Sequence, residues 1–418
     1  MTNNQLYTDI AIVGGGIAGL MLQSRLSSLG YSTLLLEHHE LGSDQTSKAQ
    51  GIIHGGIKYA LLGQITKSAR AIAEQPRIWT SYLTNTPLDK TCDHIDLSAT
   101  KILATHHDLW NNGDLKNKLK QVVMSKAFSS HGTGLAPTDQ DYPELFKTAY
   151  HAGYFKGSVY KINETVIDVF SLLQNLANLN TNKIIKIDQD SLQVNLQPDN
   201  NTIADLSFSQ NNQHYSVVAQ QYIFTAGSNN QLILDKLSQN SVALPKMQLR
   251  PLHMVLAKFS EDNKLYGHYT GDGLLPELTI TTHYTQDNHH IWYMGGKIAE
   301  SGIDISQEQQ IIKAKTLINK VFPWLNTQHW QWQSFMVDRA EPLQANNARP
   351  EHSYYANINN IIIGWPVKMA LAPMLCDKIS QYIKETQLTS KYQQINTAQL
   401  NLSSPRIAQP IWDRLFTN

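Results

Sequence analysis

The stretch from Asp9 to Glu37 constrains this chain more than any other. An apolar run, Ile10 to Val13, leads into Gly14-x-Gly16-x-x-Gly19. An apolar helical segment through Met21, Leu22 and Leu26 follows and stops at Gly30. A second apolar run, Thr33 to Leu36, finishes on Glu37. The pattern predicts strand, helix, strand. Gly14 permits the tight turn, Gly16 lets backbone approach a pyrophosphate, and Gly19 lets helix and strand pack closely. The helix start, with Ile17 and Ala18, offers unpaired N–H groups and a positive dipole end to phosphates. Glu37 is placed to take the ribose hydroxyls of an adenosine. A bare glycine triplet would be weak evidence for this. The strand before it, the helix after it and the acid at the next strand's end give it its context, and the stretch reads as a nucleotide-binding βαβ unit.

Composition sets the frame. The 418 residues are 41% apolar and 16% charged, which suits about two to three globular domains. The formal net charge is zero, so nothing points to nucleic acid or an anionic membrane surface. Cys92 and Cys376 lie far apart without C-x-x-C spacing, which speaks against a disulfide framework or zinc site and fits a reducing cytoplasm. The polar start, Met1 to Thr8, lacks signal-peptide character, and no stretch approaches the roughly 20 apolar residues of a spanning helix. The expected location is cytoplasmic, with peripheral association at the inner face of the membrane left open.

After Glu37 comes a small, polar segment containing His38, Thr46, Ser47, Lys48, Gln50 and Gly51, and continuing through His54-Gly55-Gly56-Ile57-Lys58-Tyr59. Such a segment suits wrapping backbone around a ligand; the alternative is an ordinary surface loop. Periodicity then predicts helices over Thr66–Thr84, Asp108–Val123, Thr165–Leu179 and Glu308–Phe322. Strands are expected at Lys101–Thr105, Tyr154–Tyr160 and Met247–Phe259. A meander is expected over residues 183–219, and a hairpin from Leu278–Thr282 to Ile291–Gly296. Gln221 to Phe224 is an apolar strand ending in Thr225-Ala226-Gly227, and Asn360 to Pro366 is a strand and breaker opening a helix over about Val367–Lys384.

Four ordered landmarks resemble the D-amino-acid-oxidase-like FAD oxidoreductases over nearly the whole chain: the glycine unit, the Thr46-to-Tyr59 loop, Thr225-Ala226-Gly227 and the Gly364-to-Pro373 unit. That family includes glycerol-3-phosphate dehydrogenases, 2-hydroxyglutarate dehydrogenases, and glycine and sarcosine oxidases. Ile53-His54-Gly55-Gly56 and Arg250-Pro251-Leu252-His253 look most like its hydroxy-substrate branches. Two departures stand out: Lys58 occupies a position where the phosphate-binding branch has Arg, and Arg339 is followed by Ala-Glu-Pro instead of directly by Pro. Lys and Arg are not equivalent at a bidentate anion site, so these departures weigh against glycerol 3-phosphate itself.

The resemblance implies an α/β fold: a Rossmann-like FAD-binding domain with a mostly parallel sheet, interleaved with an α+β substrate domain on a mostly antiparallel sheet. The expected division gives residues 1–85, 154–245 and 335–418 to the first and 86–153 and 246–334 to the second. FAD would lie against Gly14, Gly16, Ile17, Ala18, Gly19, Glu37, His38, Thr46, Ser47, Lys48, Gln50, Gly51, Ala226, Gly227, Gly364, Pro366, Val367, Lys368, Met369 and Ala370, with the last helix aimed at the flavin edge. Substrate chemistry is expected from His54, Lys58, Tyr59, Arg250, His253 and Arg339. His253 is preferred as general base because imidazole titrates near working pH; the alternative is a strand histidine satisfied within its sheet. Lys58 and Arg339 would hold a carboxylate or phosphate. Covalent FAD attachment through His54 is a further, minor reading.

The resulting expectation is oxidation of a small anionic CH–OH compound by hydride transfer to flavin N5, with a quinone or oxygen as final acceptor. An amine or amino-acid oxidase, or an FAD-binding subunit without its own turnover, are the alternatives; Lys58, His253 and Arg339 in one pocket would argue against the last. Gly295-Gly296-Lys297 lacks P-loop spacing, the paired histidines at 38–39, 106–107 and 289–290 lack metal-ligand partners, and Gly-x-Ser-x-Gly is absent. No second dinucleotide fingerprint appears, so electrons are expected from an organic substrate and no metal is expected.

Overall fold

The computed structural model describes residues 4–56, 71–88, 94–113, 136–137, 142–199, 201–238, 244–271 and 276–417. The fingerprint folds as its pattern predicts: strand Asn4–Val13, helix Ile17–Ser28, strand Thr33–Glu37. The first strand begins ahead of its apolar run because polar residues Asn4 to Thr8 pair with Tyr215 to Ala219. It sits inside an eight-stranded sheet, parallel to Thr33–Glu37 on one side and Gln213–Phe224 on the other. Ile361–Trp365 and Ile184–Lys186 extend the parallel part.

Strands buried on both faces read as continuous apolar runs, which is why Ile10–Val13 shows no alternation. Alternate residues still serve different layers. Ile10, Ile12, Leu35 and Ile223 meet helices Ile17–Ser28, Gln75–Leu83, Val169–Leu179 and Ala372–Glu385. Ala11, Val13, Leu36 and Phe224 meet the antiparallel strands Gln193–Leu196 and Ile203–Gln210 and helix Asn230–Leu237.

The second sheet also has eight strands, in the order Gln331–Pro342, Met247–Phe259, His290–Gly295, Leu278–Tyr284, Gly267–Tyr269, His107–Asn111, Ser158–Ile162, Ala136–Pro137. Its pairs are antiparallel except Gly267–Tyr269 with His107–Asn111. One face packs helix Gln307–Val321 over an aromatic core of Trp110, Phe259, Trp292, Phe322 and Trp330. That helix starts on a capping box: Ser306 Oγ accepts from Gln309 N, and Gln309 Oε1 accepts from Ser306 N. The other face carries Met254, Tyr293, Phe335 and Val337, which take the tail helix Ile411–Leu415 through Ile411 and Trp412. The fold is thus α/β, with one mostly parallel and one mostly antiparallel sheet.

Several sequence expectations need correction. Asp108 does not open a helix: His107–Asn111 is a fully buried strand between two neighbours of the second sheet, and tertiary pairing outweighs the helical spacing. Tyr215–Ala219 and Gln221–Phe224 form one strand, Gln213–Phe224. Ile184–Lys186 joins the parallel strands instead of the meander. The helix expected from Val367 is preceded by a turn: Met369–Leu371 is 3₁₀, and the α-helix runs over Ala372–Glu385. The boundaries proposed at 153/154 and 334/335 do not follow the sheets either, since Ser158–Ile162 and all of Gln331–Pro342 pair in the second sheet. Cys92 and the end of the expected Thr46-to-Tyr59 loop, Lys58 and Tyr59 included, lie outside the described residues.

Asp9, fully buried in the first strand, holds the chain's last segment in place. Its carboxylate accepts from Ser32 N, Gln220 Nε2, Ser390 Oγ and Lys391 N, each at 2.8 Å, and from Tyr392 N at 3.2 Å. Burial alone would raise its pKa, but these donors outweigh it and hold the carboxyl below its ordinary 3.8. A depressed folded-state pKa stabilises fully above the unfolded value of about 3.9 and loses that stabilisation as pH falls through the folded value. Asp9→Asn is expected to cost about 1–3 kcal/mol near neutral pH. In thermal melts its deficit against wild type should shrink below about pH 4.

Candidate active site

A cleft of about 1000 Å³ opens at the carboxyl ends of the parallel strands and runs to the second sheet. Gly14 has φ +107°, and a Cβ there would sit 2.7 Å from Ala226 Cα. Gly19 is equally constrained, since its Cβ would lie 1.9 Å from Gly14 O. Gly16 differs: its Cβ would meet only Thr46 Oγ1, at 3.2 Å, so the space above it belongs to the cleft. Helix Ile17–Ser28 has Gly16 at its N-cap, no side-chain cap and no acid in its first turn. Its first amides and positive dipole end therefore remain available to an anion, apart from Ile17 N, which donates to Thr46 Oγ1 at 3.1 Å.

Glu37 is buried at the cleft. Oε2 accepts from Gly15 N at 2.6 Å, and Oε1 accepts from His38 N and His39 N, both at 2.8 Å. Burial would raise its pKa, yet the donors from His38, His39 and Gly15 keep it below its ordinary value. The acid is thus ionised and shaped by backbone before any ribose arrives. The His38 imidazole, with Nδ1 3.3 Å from Glu37 Oε1, has its pKa raised by that side-chain contact against its own partial burial.

The segment 43–50 is bolted to the second sheet. Ala340 N donates to Gln45 Oε1 at 3.1 Å, Gln50 Nε2 donates to Tyr293 O at 2.8 Å, and Tyr293 OH donates to Lys48 O at 2.6 Å. At the far end of the cleft stand Trp365, Pro366, Val367, Lys368 and Met369. Val367 has φ +68°, an outlier for a β-branched residue that marks strain held where backbone must face a ligand.

Of the expected cofactor residues, Gly14, Gly16, Ile17, Ala18, Glu37, His38, Thr46, Lys48, Gln50, Ala226, Gly227, Pro366, Val367, Lys368 and Met369 line the cleft. Gly19, Ser47, Gly51, Gly364 and Ala370 sit behind it and shape it. Gly51, at φ +78°, abuts Ile167 O. Gly364 packs against Leu375 and Ile379, and Ala370 O accepts from Trp79 Nε1. Sequence reading missed Gln45, Met254, Trp365 and Arg414 in the lining; no local signal marks them.

The expected catalytic set divides. Strand pairing puts Arg250, Leu252 and Met254 opposite Arg339, Val337 and Phe335, and period-two alternation turns these toward the cleft. Arg339 and Val337 line it. Arg250 is engaged in a bidentate pair with Glu341, at 2.9 and 2.8 Å, which corrects its placement as a substrate ligand. His253 faces the other way: Nδ1 meets Gly302 O at 2.7 Å, Nε2 meets Ser334 Oγ at 3.0 Å, and the ring is 2% exposed. It is a histidine satisfied inside the sheet, on the wrong parity for a base. His253 and Arg339 therefore do not share the cleft, and Lys58 lies outside the described residues.

Arg339 remains. Burial, reinforced by neighbouring Arg250 and Arg349, lowers its pKa to about 9, so the guanidinium stays charged at neutral pH. Its Nε reaches Arg250 O at 3.4 Å, and its buried Nη2 has no hydrogen-bond partner among the described residues, a cost that a seated anion would offset.

His54 sits in a constellation no motif announced. Its Nδ1 is 3.1 Å from Glu164 Oε2, which also lies 3.4 Å from His268 Nε2, while Gly55 N donates to Glu164 Oε1 at 3.0 Å. The donor atoms of His54, Glu164 and His268 fall within 4.8 Å of one another. Spacing searches fail here because these residues come from three distant segments. Burial would push the Glu164 carboxyl up, but the two imidazoles hold it well below the carboxylate range.

A glycine-rich βαβ unit whose cleft is closed by a second, antiparallel sheet has the architecture of a dinucleotide-dependent enzyme. Residues 9–359 match the profile of the FAD dependent oxidoreductase family, DAO, and the chain belongs to that family: it is an FAD-dependent oxidoreductase. A probable FAD-dependent oxidoreductase of Pseudomonas aeruginosa is 36% identical over 414 residues, 98% of this chain and 99% of the relative. The crystal structure of an FAD-dependent oxidoreductase from Pseudomonas aeruginosa matches with a TM-score of 0.78 at 32% identity, covering 100% of both chains. L-α-glycerophosphate oxidase of Mycoplasma pneumoniae, solved with FAD bound, has a TM-score of 0.59 at 14% identity over 94% of this chain and 98% of that one; that likeness is one of fold. The open glycine cradle, the uncapped helix start and the buried Glu37 fit FAD. Among the described residues no helix is long and apolar enough to cross a membrane.

Because only a rotatable hydroxyl would meet a side chain at position 16, Gly16→Val is expected to fold with a melting temperature near wild type. It should nonetheless purify with a several-fold lower flavin-to-protein absorbance ratio.

Proposed function

We propose that the protein oxidises a small anionic CH–OH compound, a 2-hydroxy acid or a polyol phosphate. The observation that carries this reading is Arg339: a half-buried guanidinium on the cleft face of the second sheet, with Nη2 unpartnered among the described residues and its carboxylate neighbour Glu341 already committed to Arg250. A carboxylate or phosphate supplies the missing acceptor. In this reading the parallel-sheet unit holds the cofactor and the antiparallel sheet presents the substrate.

Bound FAD supplies the two-electron acceptor. The protein's own residues seat and orient the substrate and move one proton. An alcohol must lose its O–H proton as its C–H bond is broken. In this reading the His54–Glu164 pair is the base that takes it. His54 thereby takes the role first expected of His253. Lys368, near enough to lower the His54 pKa, adds positive charge at the end of the cleft where negative charge would build up during the reaction. Quinone or oxygen is proposed as the final acceptor.

Anaerobic bleaching of the purified flavoprotein by a panel of 2-hydroxy acids, polyol phosphates and amino acids tests the reading. Bleaching by hydroxy compounds is expected; bleaching by amino acids alone would overturn it. With the active hydroxy compound, Arg339→Ala is expected to raise the half-saturating concentration roughly 10- to 100-fold, the loss of one charge-assisted contact, and Arg339→Lys to recover part of it.

A further inference from the structure

We propose that Glu164 and His268 are positioning residues that hold His54 in the one tautomer able to take the substrate's hydroxyl proton. The proposal rests on the CH–OH reading above. The local fold brings the parts together. Ile52 pairs with Val166, Ile53 N donates to Thr165 O at 2.8 Å, and Ile167 N donates to Gly51 O at 2.9 Å. That short pairing carries Glu164 directly beside His54 and Gly55.

Proton accounting then fixes each ring. Glu164 is 2% exposed and ionised, so it only accepts. Oε1 takes Gly55 N–H, and Oε2 takes both imidazoles. His54 must therefore carry its proton on Nδ1, which leaves Nε2 as the acceptor; Nε2 makes no hydrogen bond among the described residues. His268 must donate from Nε2, so its Nδ1 accepts from Thr279 Oγ1 at 2.8 Å. His107 closes the array edge-on to His268, with ring centroids 4.2 Å apart. The charged and titratable groups facing this site are His107, His268, Glu164 and Lys368. Burial first, and Lys368 with it, disfavour the His54 imidazolium, while Glu164 opposes them. His54 is thus neutral at rest and has an anion at its back once protonated.

The step balances. The substrate O–H bond breaks, its proton bonds to His54 Nε2, and its electron pair stays on oxygen to complete the C=O bond. The C–H hydrogen leaves with its electron pair to the cofactor. Histidine on a carboxylate recurs as a general base because the carboxylate fixes the tautomer and stabilises the imidazolium.

Glu164→Gln tests this, because its amide N–H would donate to His54 Nδ1 and force the proton onto Nε2. Anaerobic bleaching by the active hydroxy compound should slow about 10²- to 10⁴-fold, with half-saturation and flavin content little changed. The acid limb of the pH profile should move to lower pH. His268→Asn should give a smaller loss in the same direction. If His54→Gln bleaches at the wild-type rate, the base reading itself fails. If His54→Gln is slow but Glu164→Gln is not, only the positioning role falls. Nitrogen-15 histidine NMR of the wild-type flavoprotein needs neither variant nor substrate: Nδ1–H with an unprotonated Nε2 on His54 is expected, and the opposite tautomer would overturn the proposal. A stoichiometric divalent metal in the wild type that is lost from Glu164→Gln would also overturn it, by making the cluster a cation site.

Discussion

The rest of the structure depends on the contact between the turn at Gly14 and the end of strand Gln213–Phe224. Thr225 N donates to Val13 O at 2.9 Å, and Gly14 at φ +107° leaves no room for a side chain against Ala226. This contact keeps three parallel strands in register to their carboxyl ends. As a result Glu37, the first amides of helix Ile17–Ser28 and Ala226–Gly227 all open onto one crevice, where ligands bind in open parallel sheets. A Cβ at residue 14 or 19 would push this end of the sheet apart.

The second dependency is the union of the two sheets. Gln45, Lys48 and Gln50 belong to the segment that follows the fingerprint, yet their bonds go to Ala340 and Tyr293 of the antiparallel sheet. The glycine-lined crevice and the face of the second sheet that carries Leu252, Val337 and Arg339 are therefore parts of one cleft. Trp412 of the tail reinforces this union, donating to Tyr284 O and stacking on His283, whose pKa burial pushes down to about 3. The stacked ring is neutral, as a buried contact of this sort requires.

Within that cleft, strand parity decides which polar residues can act. Arg250, His253 and Arg339 come from two paired strands and were all expected to meet the substrate. His253, one residue out of phase, is absorbed by Gly302 and Ser334. Arg250 has the right parity, but Glu341 occupies both arms of its fork. Arg339 has the right parity and lines the cleft, and its buried Nη2 has no hydrogen-bond partner among the described residues. Elsewhere, a short pairing with residues 165–167 places Glu164 at the side of His54.

By itself, the sequence determined the nucleotide-binding unit and the α/β class, and it picked out many residues that line the cleft. Those properties are local: glycine torsions, an uncapped helix start and runs of apolar residues follow from a few neighbours along the chain. It also marked Arg339 and the Ile53–Gly56 segment as sites of interest. Only the tertiary structure decided the strand at His107–Asn111, the parity of His253, the capture of Arg250 by Glu341, the turn before helix Ala372–Glu385, and the meeting of His54, Glu164 and His268. In each of these the deciding partner lies far away in the chain. A side chain's charge, tautomer and availability depend on the groups folding places within a few ångströms, and a one-dimensional spacing does not contain that distance.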